Sequence, residues 1–221
     1  MIEKLLSLSD RRASNLKQLW IVGCSFAYGS YIAKKERFGQ LLSEKLQLPV
    51  SFLTVPGSSI QWAADQILRS DIRKNDIVVW ALTGSARLPF IDNTWKLNHL
   101  TATNFQNFEN RSVYFKEQLL VSNHMIYDSL VHIEQVINFS HKVNFELVLC
   151  LMPCNLPAHN LIMENYISGL QNGLIMYDPH DLLRFIDYAG DGVHPGPKQH
   201  QIYYNLILEF YENLCKNISI E

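Results

Sequence analysis

Residues 19–29 read LWIVGCSFAYG, an apolar run that ends at Gly23 and is followed at once by a cysteine and a serine. Short runs that are apolar throughout are typical of strands buried on both faces of a parallel sheet. Ser25 stands directly after the run, and Gly29 follows four residues later. The stretch therefore predicts a buried strand whose carboxyl end presents a small hydroxyl.

Further apolar runs follow along the chain and alternate with helical patterns. The strand candidates are residues 19–23, 50–55, 76–83, 145–153 and 173–178. Apolar residues recur at helical spacing in residues 36–47, 59–70, 113–141 and 197–215. Such alternation is typical of an open α/β sheet, where functional sites lie outside the carboxyl ends of the strands. We therefore predict an α/β fold with a parallel sheet of about five strands.

The composition is that of an ordinary globular protein. The 221 residues are 48% hydrophobic and 18% charged, and the formal net charge is −2, so a single domain is expected. The sequence has no basic block of the kind that binds nucleic acid and no run of about 18 apolar residues that would predict a membrane span. Residues 1–17 are mixed and charged, which predicts a short arm or helix rather than a secretory signal. We therefore expect a cytoplasmic protein.

One segment, residues 87–112, breaks the alternation of strands and helices. It is polar and aromatic and shows no firm period. A loop of this length is uncommon in a compact domain unless it has a function. We interpret it as an insertion near the functional site, within a single domain that covers residues 1–221.

Small polar residues follow three of the predicted strands. They are Gly23-Cys24-Ser25, Gly57-Ser58-Ser59 and Thr83-Gly84-Ser85. The carboxyl ends of parallel strands share one edge of the sheet, so we expect these groups to lie close together. Glycine allows a substrate to approach the backbone closely. The sequence therefore predicts a polar site at this edge.

A serine hydroxyl needs a neighbouring base to become a nucleophile. Residues 187–200 read DYAGDGVHPGPKQH and place Asp191 three residues before His194 on a glycine-rich turn. An aspartate that accepts a hydrogen bond from one imidazole nitrogen fixes the tautomer, and the other nitrogen is then free to take a proton from serine. The pattern predicts a catalytic triad of Ser25, His194 and Asp191.

Together these motifs resemble those of the SGNH (GDSL-like) hydrolase superfamily. The family's first block, Gly-Asp-Ser, is similar to residues 23–25, its second-block glycine to Gly57, and its final Asp-x-x-His to residues 191–194. The resemblance extends over about residues 19–215. It implies a three-layer α/β/α sandwich with a flavodoxin-like strand order, and hydrolysis of an ester without a metal or a cofactor.

The resemblance also implies an oxyanion hole built from the backbone N–H groups of Ser25 and Gly57. Two positions depart from the family pattern. Cys24 replaces the usual aspartate, and residues 80–87, WALTGSAR, lack the asparagine of the third block. The groups available to replace that asparagine are the hydroxyls of Thr83 and Ser85 and the charge of Arg87.

The expected substrate is a small-molecule or carbohydrate ester, with a carbohydrate O-acetyl group as one candidate. Three alternatives stay open: a non-catalytic binding protein, an acyltransferase that uses the same triad, and catalysis by the Cys24 thiol. Neighbouring strand residues point to opposite faces, so Ser25 and Cys24 cannot both face His194, and the resemblance implies that Ser25 takes that place. A metal site at Asp191, His194 and His200 is the least favoured reading.

Overall fold

The computed structural model describes residues 17–83, 87–91, 97–101, 123–153, 157–177 and 185–218. The elements in chain order are β1 (Leu19–Gly23), α1 (Ser25–Tyr28), a 3-10 turn (Lys34–Glu36), α2 (Phe38–Leu46), β2 (Val50–Thr54), α3 (Ile60–Arg69), β3 (Ile77–Leu82), β4 (Arg87–Ile91), β5 (Leu97–Thr101), α4 (Asn123–Val143), β6 (Glu146–Leu151), α5 (Pro157–Ser168), β7 (Gly173–Ile175) and α6 (Pro197–Ile218).

Five strands form one all-parallel sheet in the order β2-β1-β3-β6-β7. Counted within this sheet alone, the order is 2-1-3-4-5, which is the flavodoxin-like arrangement that the resemblance implied. Every residue of β1 and β3 is buried, because both strands lie inside the sheet and helices cover both of its faces. The predicted fold class is therefore confirmed, and the continuous apolar runs correspond to central strands.

Two hydrophobic clusters, one on each face of the sheet, produce the three layers. Alternate side chains of β1 point to opposite faces, so Trp20 and Val22 belong to one cluster and Leu19 and Ile21 to the other. The first cluster includes buried residues of α3, α4 and α5, and the second includes buried residues of α1, α2 and α6. The sheet thus forms the middle layer of an α/β/α sandwich.

The structure differs from the sequence pattern in residues 87–112. No element was predicted there, yet β4 and β5 pair as an antiparallel two-stranded sheet. Pro89 lies inside β4, and a proline in a run argues against reading it as a strand, since proline cannot donate to a ladder. Residues 92–96 and 102–112 of this segment, and residues 1–16 of the predicted N-terminal arm, lie outside the described residues.

Among the described residues, no helix combines the length and the apolar character needed to cross a bilayer. Cys24, Cys150 and Cys215 form no disulfide bond with another described residue.

Candidate active site

The loops that follow β1 and β2 are tied together at the carboxyl edge of the sheet. The carbonyl of Gly23 accepts hydrogen bonds from the N–H of Val55 (3.2 Å) and from Oγ of Ser58 (3.1 Å). Gly23 has a φ of +143°, and a Cβ at this position would lie 2.6 Å from the carbonyl oxygen of Ala81. Only glycine fits so close to β3 at this position.

Ser25 is the first residue of α1 and is 6% exposed. Its carbonyl accepts hydrogen bonds from the N–H groups of Gly29 (3.0 Å) and Ser30 (3.2 Å), which close the short helix. The N-cap position belongs to Cys24, and no side chain caps the helix. A serine in this part of the chain can serve as a helix cap, but here the Ser25 hydroxyl has no capping role and is available for another one.

The loop before α6 holds Asp191 and His194 in contact. Tyr188 and Pro195 pair across the base of the loop, and Gly192, with a φ of +68°, provides the left-handed turn between the two site residues. Oδ2 of Asp191 lies 2.6 Å from Nδ1 of His194. Oδ1 of the same carboxylate accepts the backbone N–H groups of Val193 and His194, each at 3.1 Å.

These hydrogen bonds favour the ionised form of Asp191. Partial burial raises the pKa of the carboxyl group, but the hydrogen bond from the His194 ring and those from the two N–H groups outweigh burial and lower the pKa to about 2. The side chains of His194 and Asp191 are 22% and 21% exposed. An ionised aspartate next to Nδ1 fixes that nitrogen as the protonated one, which leaves Nε2 of His194 as the acceptor for a proton.

The His194 ring packs against the segment that begins at Ser25. Its centroid lies 6.1 Å from the Phe26 ring in an edge-to-face arrangement and 5.8 Å from the Tyr31 ring. Among the described residues, no hydrogen bond joins Ser25 to His194. Catalytic hydrogen bonds are often long without substrate and shorten when it binds. Ring contacts therefore place His194 beside Phe26, the residue that follows the candidate nucleophile Ser25.

Gly57 lies in the loop after β2 with a φ of +79°. Among the described residues, no heavy atom lies within 4 Å of a Cβ added at this position, so space for a substrate adjoins the backbone. The two following serines are fully buried, and Oγ of Ser59 caps α3 by accepting the N–H of Trp62 at 3.1 Å. The serines after Gly57 therefore hold the loop, while Gly57 itself stays open to a ligand.

The three proposed substitutes for the third-block asparagine have different positions. Thr83 is 4% exposed, and its Oγ1 makes no hydrogen bond with a described residue. Nη1 of Arg87 donates to the carbonyl of Ser58 at 3.1 Å, so the guanidinium is at least partly engaged by the protein. Ser85 lies outside the described residues.

Sequence reasoning did not single out Phe26 or Tyr31, the two rings that contact His194. Both follow Ser25 in the aromatic-rich stretch SFAYGSYI at residues 25–32, which is the only local signal for them. Tyr31 is 71% exposed and has a φ of +63°, which is uncommon for a residue other than glycine.

The described structure does not group Asp191, His194 and His200 into a site that could hold a metal ion. His200 is fully buried in α6, where its ring stacks on Phe38 at 5.7 Å. In the part of the chain that the structure describes, no group of three or more histidine, cysteine, aspartate or glutamate side chains could hold a metal ion.

Solved structures of similar fold include several hydrolases. A GDSL-like lipase from Bacteroides thetaiotaomicron VPI-5482 matches with a TM-score of 0.54 and 13% identity, over 89% of this chain and 88% of that one. The psychrotrophic esterase EstA from Pseudoalteromonas sp. matches with a TM-score of 0.54 and 11% identity, over 90% and 99%. A family 2 carbohydrate esterase from Corynascus thermopiles (Myceliophthora fergusii) matches with a TM-score of 0.55 and 11% identity, over 89% and 67%.

No family model matches the chain, and no curated protein matches it by sequence. At 11–13% identity the three structural matches establish a shared fold. The chain has the fold of the GDSL-like, or SGNH, hydrolases, and the predicted resemblance is confirmed at that level.

Proposed function

We propose that the chain is a serine ester hydrolase with Ser25 as nucleophile, His194 as general base and acid, and Asp191 as the partner of the imidazole. The observation that carries the proposal is the 2.6 Å contact between Asp191 and His194. The His194 ring also packs against Phe26, the residue directly after Ser25. A nucleophile, a base and a group that orients the base are the three parts that acyl transfer through serine requires.

In the proposed reaction, Oγ of Ser25 attacks the ester carbonyl carbon while Nε2 of His194 takes the hydroxyl proton. The N–H groups of Ser25 and Gly57 stabilise the oxyanion, and the Thr83 hydroxyl, which makes no hydrogen bond with a described residue, is a third donor. Collapse of the tetrahedral intermediate expels the alcohol, which receives the proton from His194. Water then attacks the acyl-enzyme by the same route in reverse and releases the acid and free Ser25.

The proposed substrate is a carboxylic ester, with an O-acetyl group on a carbohydrate as the substrate class. Since His194 protonates the leaving alcohol, the alcohol part of the ester would lie beside this ring. The exposed Tyr31 ring at 5.8 Å offers a flat surface there for a sugar. The carbohydrate esterase among the proteins of similar fold adds support to this choice of substrate.

Labelling with a fluorophosphonate, together with turnover of p-nitrophenyl acetate, tests the proposal. We expect the wild-type protein to be labelled at Ser25, and Ser25→Ala to lose both labelling and turnover. Ser140→Ala is the matched control, because Ser140 is also buried but lies near the end of α4, where its Oγ donates to the carbonyl of Ile137. Full turnover in Ser25→Ala would reject the serine mechanism.

Other outcomes of the same experiment separate the alternatives. Loss of turnover in Cys24→Ala, with turnover kept in Ser25→Ala, would assign the nucleophile to the thiol. Absence of labelling and turnover in the wild-type protein would favour a non-catalytic binding protein of this fold. Acyl transfer to added sugars, measured by product analysis, would identify an acyltransferase.

A further inference from the structure

One side chain interacts with both loops that supply the proposed oxyanion donors. Nη1 of Arg87 donates to the carbonyl of Ser58 at 3.1 Å, and Ser58 directly follows Gly57. Against the opposing effect of burial, the charge of the same guanidinium lowers the pKa of the Cys24 thiol, which is 1% exposed and directly precedes Ser25. Arg87 thus interacts with the neighbour of each residue whose N–H is proposed to bind the oxyanion.

A comparison of two buried thiols shows that the surroundings of Cys24 are specialised. Cys150 lies inside β6, opposite Ala81 and Leu174, and burial raises the pKa of its thiol. Burial also acts to raise the pKa of Cys24, but the charge of Arg87 and several hydrogen bonds lower it below the ordinary value.

The groups that face the Cys24 sulfur come from several elements. Besides Arg87 they are the backbone N–H of Phe26 in α1 and the hydroxyl of Thr83 after β3. The Thr83 hydroxyl is close enough to affect the pKa of Cys24, although its geometry does not amount to a full hydrogen bond. Tyr203 approaches from α6; burial, followed by the nearby Cys24, raises the pKa of its phenol, which therefore stays protonated.

We propose that Arg87 is a positioning residue that clamps Cys24 to Ser58 and thereby sets the spacing between the N–H groups of Ser25 and Gly57. The inference rests on the proposed function and adds a role for a residue that the resemblance leaves unassigned. Both donors must lie within about 3 Å of the same oxygen to stabilise an oxyanion. A small change in the separation of the two loops therefore weakens one of the two hydrogen bonds.

Other hydrogen bonds also join the two loops. The carbonyl of Gly23 holds the loop after β2 through the N–H of Val55 and Oγ of Ser58. Arg87 joins the same two loops from β4. The planar fork of a guanidinium can serve two acceptors at once, whereas the single ammonium of lysine binds as a point charge. Arginine and lysine are therefore not equivalent at this position.

The test measures the Cys24 thiol and the turnover of p-nitrophenyl acetate in Arg87→Met and Arg87→Lys. The ultraviolet absorbance of the thiolate is titrated with pH in each protein and compared with the same protein carrying Cys24→Ala, so that the difference reports Cys24 alone. We expect Arg87→Met to raise the pKa of Cys24 and to lower kcat about 100-fold, with KM changed less than about threefold. In Arg87→Lys the pKa of Cys24 should stay close to its wild-type value, because the positive charge is kept, whereas kcat should fall about tenfold.

The matched control is Arg69→Met, which removes a guanidinium from an exposed pair with Asp65 on α3. This variant should keep the wild-type pKa of Cys24 and the wild-type kcat. A wild-type pKa of Cys24 in Arg87→Met would overturn the clamp, and so would a wild-type kcat in either Arg87 variant. If Arg87→Met does not fold, Arg87→Lys decides, since an unchanged kcat in that variant overturns the proposal.

Failure of the proposed function gives a different result. If the wild-type protein hydrolyses no ester, the proposed function fails, while the thiol titration still reports on the clamp. A raised pKa of Cys24 in Arg87→Met would then support the contact between Arg87 and Cys24, and an unchanged pKa would overturn it.

Discussion

Two histidines in the same short stretch of sequence have opposite surroundings. His194 lies in a loop, partly exposed, with Nδ1 at 2.6 Å from the carboxylate of Asp191. His200 is fully buried in α6, where its Nδ1 accepts the backbone N–H of Phe38 at 3.3 Å. Burial and, next, the charge of Arg37 lower the pKa of His200 to about 4. The comparison shows that the partner and the burial of an imidazole, rather than its place in the sequence, decide whether it is suited to chemistry.

Two aspartates near these histidines, Asp191 and Asp187, also differ in their hydrogen-bond partners. Asp191 accepts two loop N–H groups and the ring of His194. Asp187 accepts the backbone N–H groups of Lys198 (2.9 Å) and Gln199 (2.8 Å) in the first turn of α6. One carboxylate therefore orients a side chain, and the other stabilises the start of a helix.

The largest expected effect separates the two histidines. We predict that His194→Ala lowers kcat/KM for p-nitrophenyl acetate by about 10⁴-fold, because the serine loses its base. His200→Gln should keep kcat within about threefold per folded molecule, since its ring is buried in α6 and has no role in the proposed reaction. Steady-state kinetics on samples whose folded fraction is known from circular dichroism measures both. A larger kinetic loss in His200→Gln than in His194→Ala would reverse the assignment.

The two aspartates give the next prediction. Asp191→Asn should lower kcat about 10³-fold, because an amide oriented toward Nδ1 favours the wrong tautomer of His194. Asp187→Asn should leave kcat near the wild-type value and cost about 1 kcal/mol of stability, as expected for a weakened helix start. Kinetics and urea unfolding, run on both variants, report the two quantities. Similar kinetic losses in both variants would mean that Asp187 also acts at the site.

A third prediction uses pH to distinguish the buried histidine. The pKa of His200 is lowered from 6.5 to about 4 on folding, so between these values the unfolded chain binds a proton that the folded protein does not. Stability should therefore fall as the pH drops through this window, by up to about 3 kcal/mol from this residue. In His200→Gln the free energy of unfolding should depend less on pH. His141→Gln, at an exposed site on α4, is the control and should keep the wild-type pH dependence.

The smallest effect concerns the charge of Asp191. Its pKa is lowered from 3.8 to about 2, so the ionised carboxylate adds stability above its unfolded pKa, and this contribution is lost as the pH falls through about 2. In His194→Ala the carboxyl group loses its side-chain donor, and its pKa should move back toward 3.8. Titration of the Asp191 carboxyl carbon by NMR measures the shift. An unchanged midpoint in His194→Ala would show that the backbone N–H groups alone hold the charge.

Much of the fold was predictable from local pattern. The five apolar runs correspond to the five strands of the parallel sheet, although β7 ends at Ile175 instead of 178. The helical patterns at 36–47, 59–70 and 197–215 correspond to α2, α3 and α6 within a few residues at each end. Of the predicted helix at 113–141, the described part begins at Asn123 and continues to Val143. The spacing of apolar residues reflects which side chains are buried, and for this reason it predicted these strands and helices.

Less of the site was predictable. The spacing of Asp191 and His194 on a glycine-rich turn predicted their pairing, because the contact is local. The contacts of His194 with Phe26 and Tyr31, and those of Arg87 with Ser58 and Cys24, join residues far apart in the chain. Nothing in the spacing of such residues reports that they meet.

The amino-acid sequence by itself determined the alternation of strands and helices, the glycine that ends β1 and the aspartate–histidine turn, since each depends on neighbouring residues and on backbone sterics. Only the tertiary structure decided that β4 and β5 pair, that His200 is buried while His194 is not, and that Cys24 differs from Cys150. These properties depend on which loops the sheet brings to one edge and on the charges that meet there. The positions of the residues along the chain predict neither.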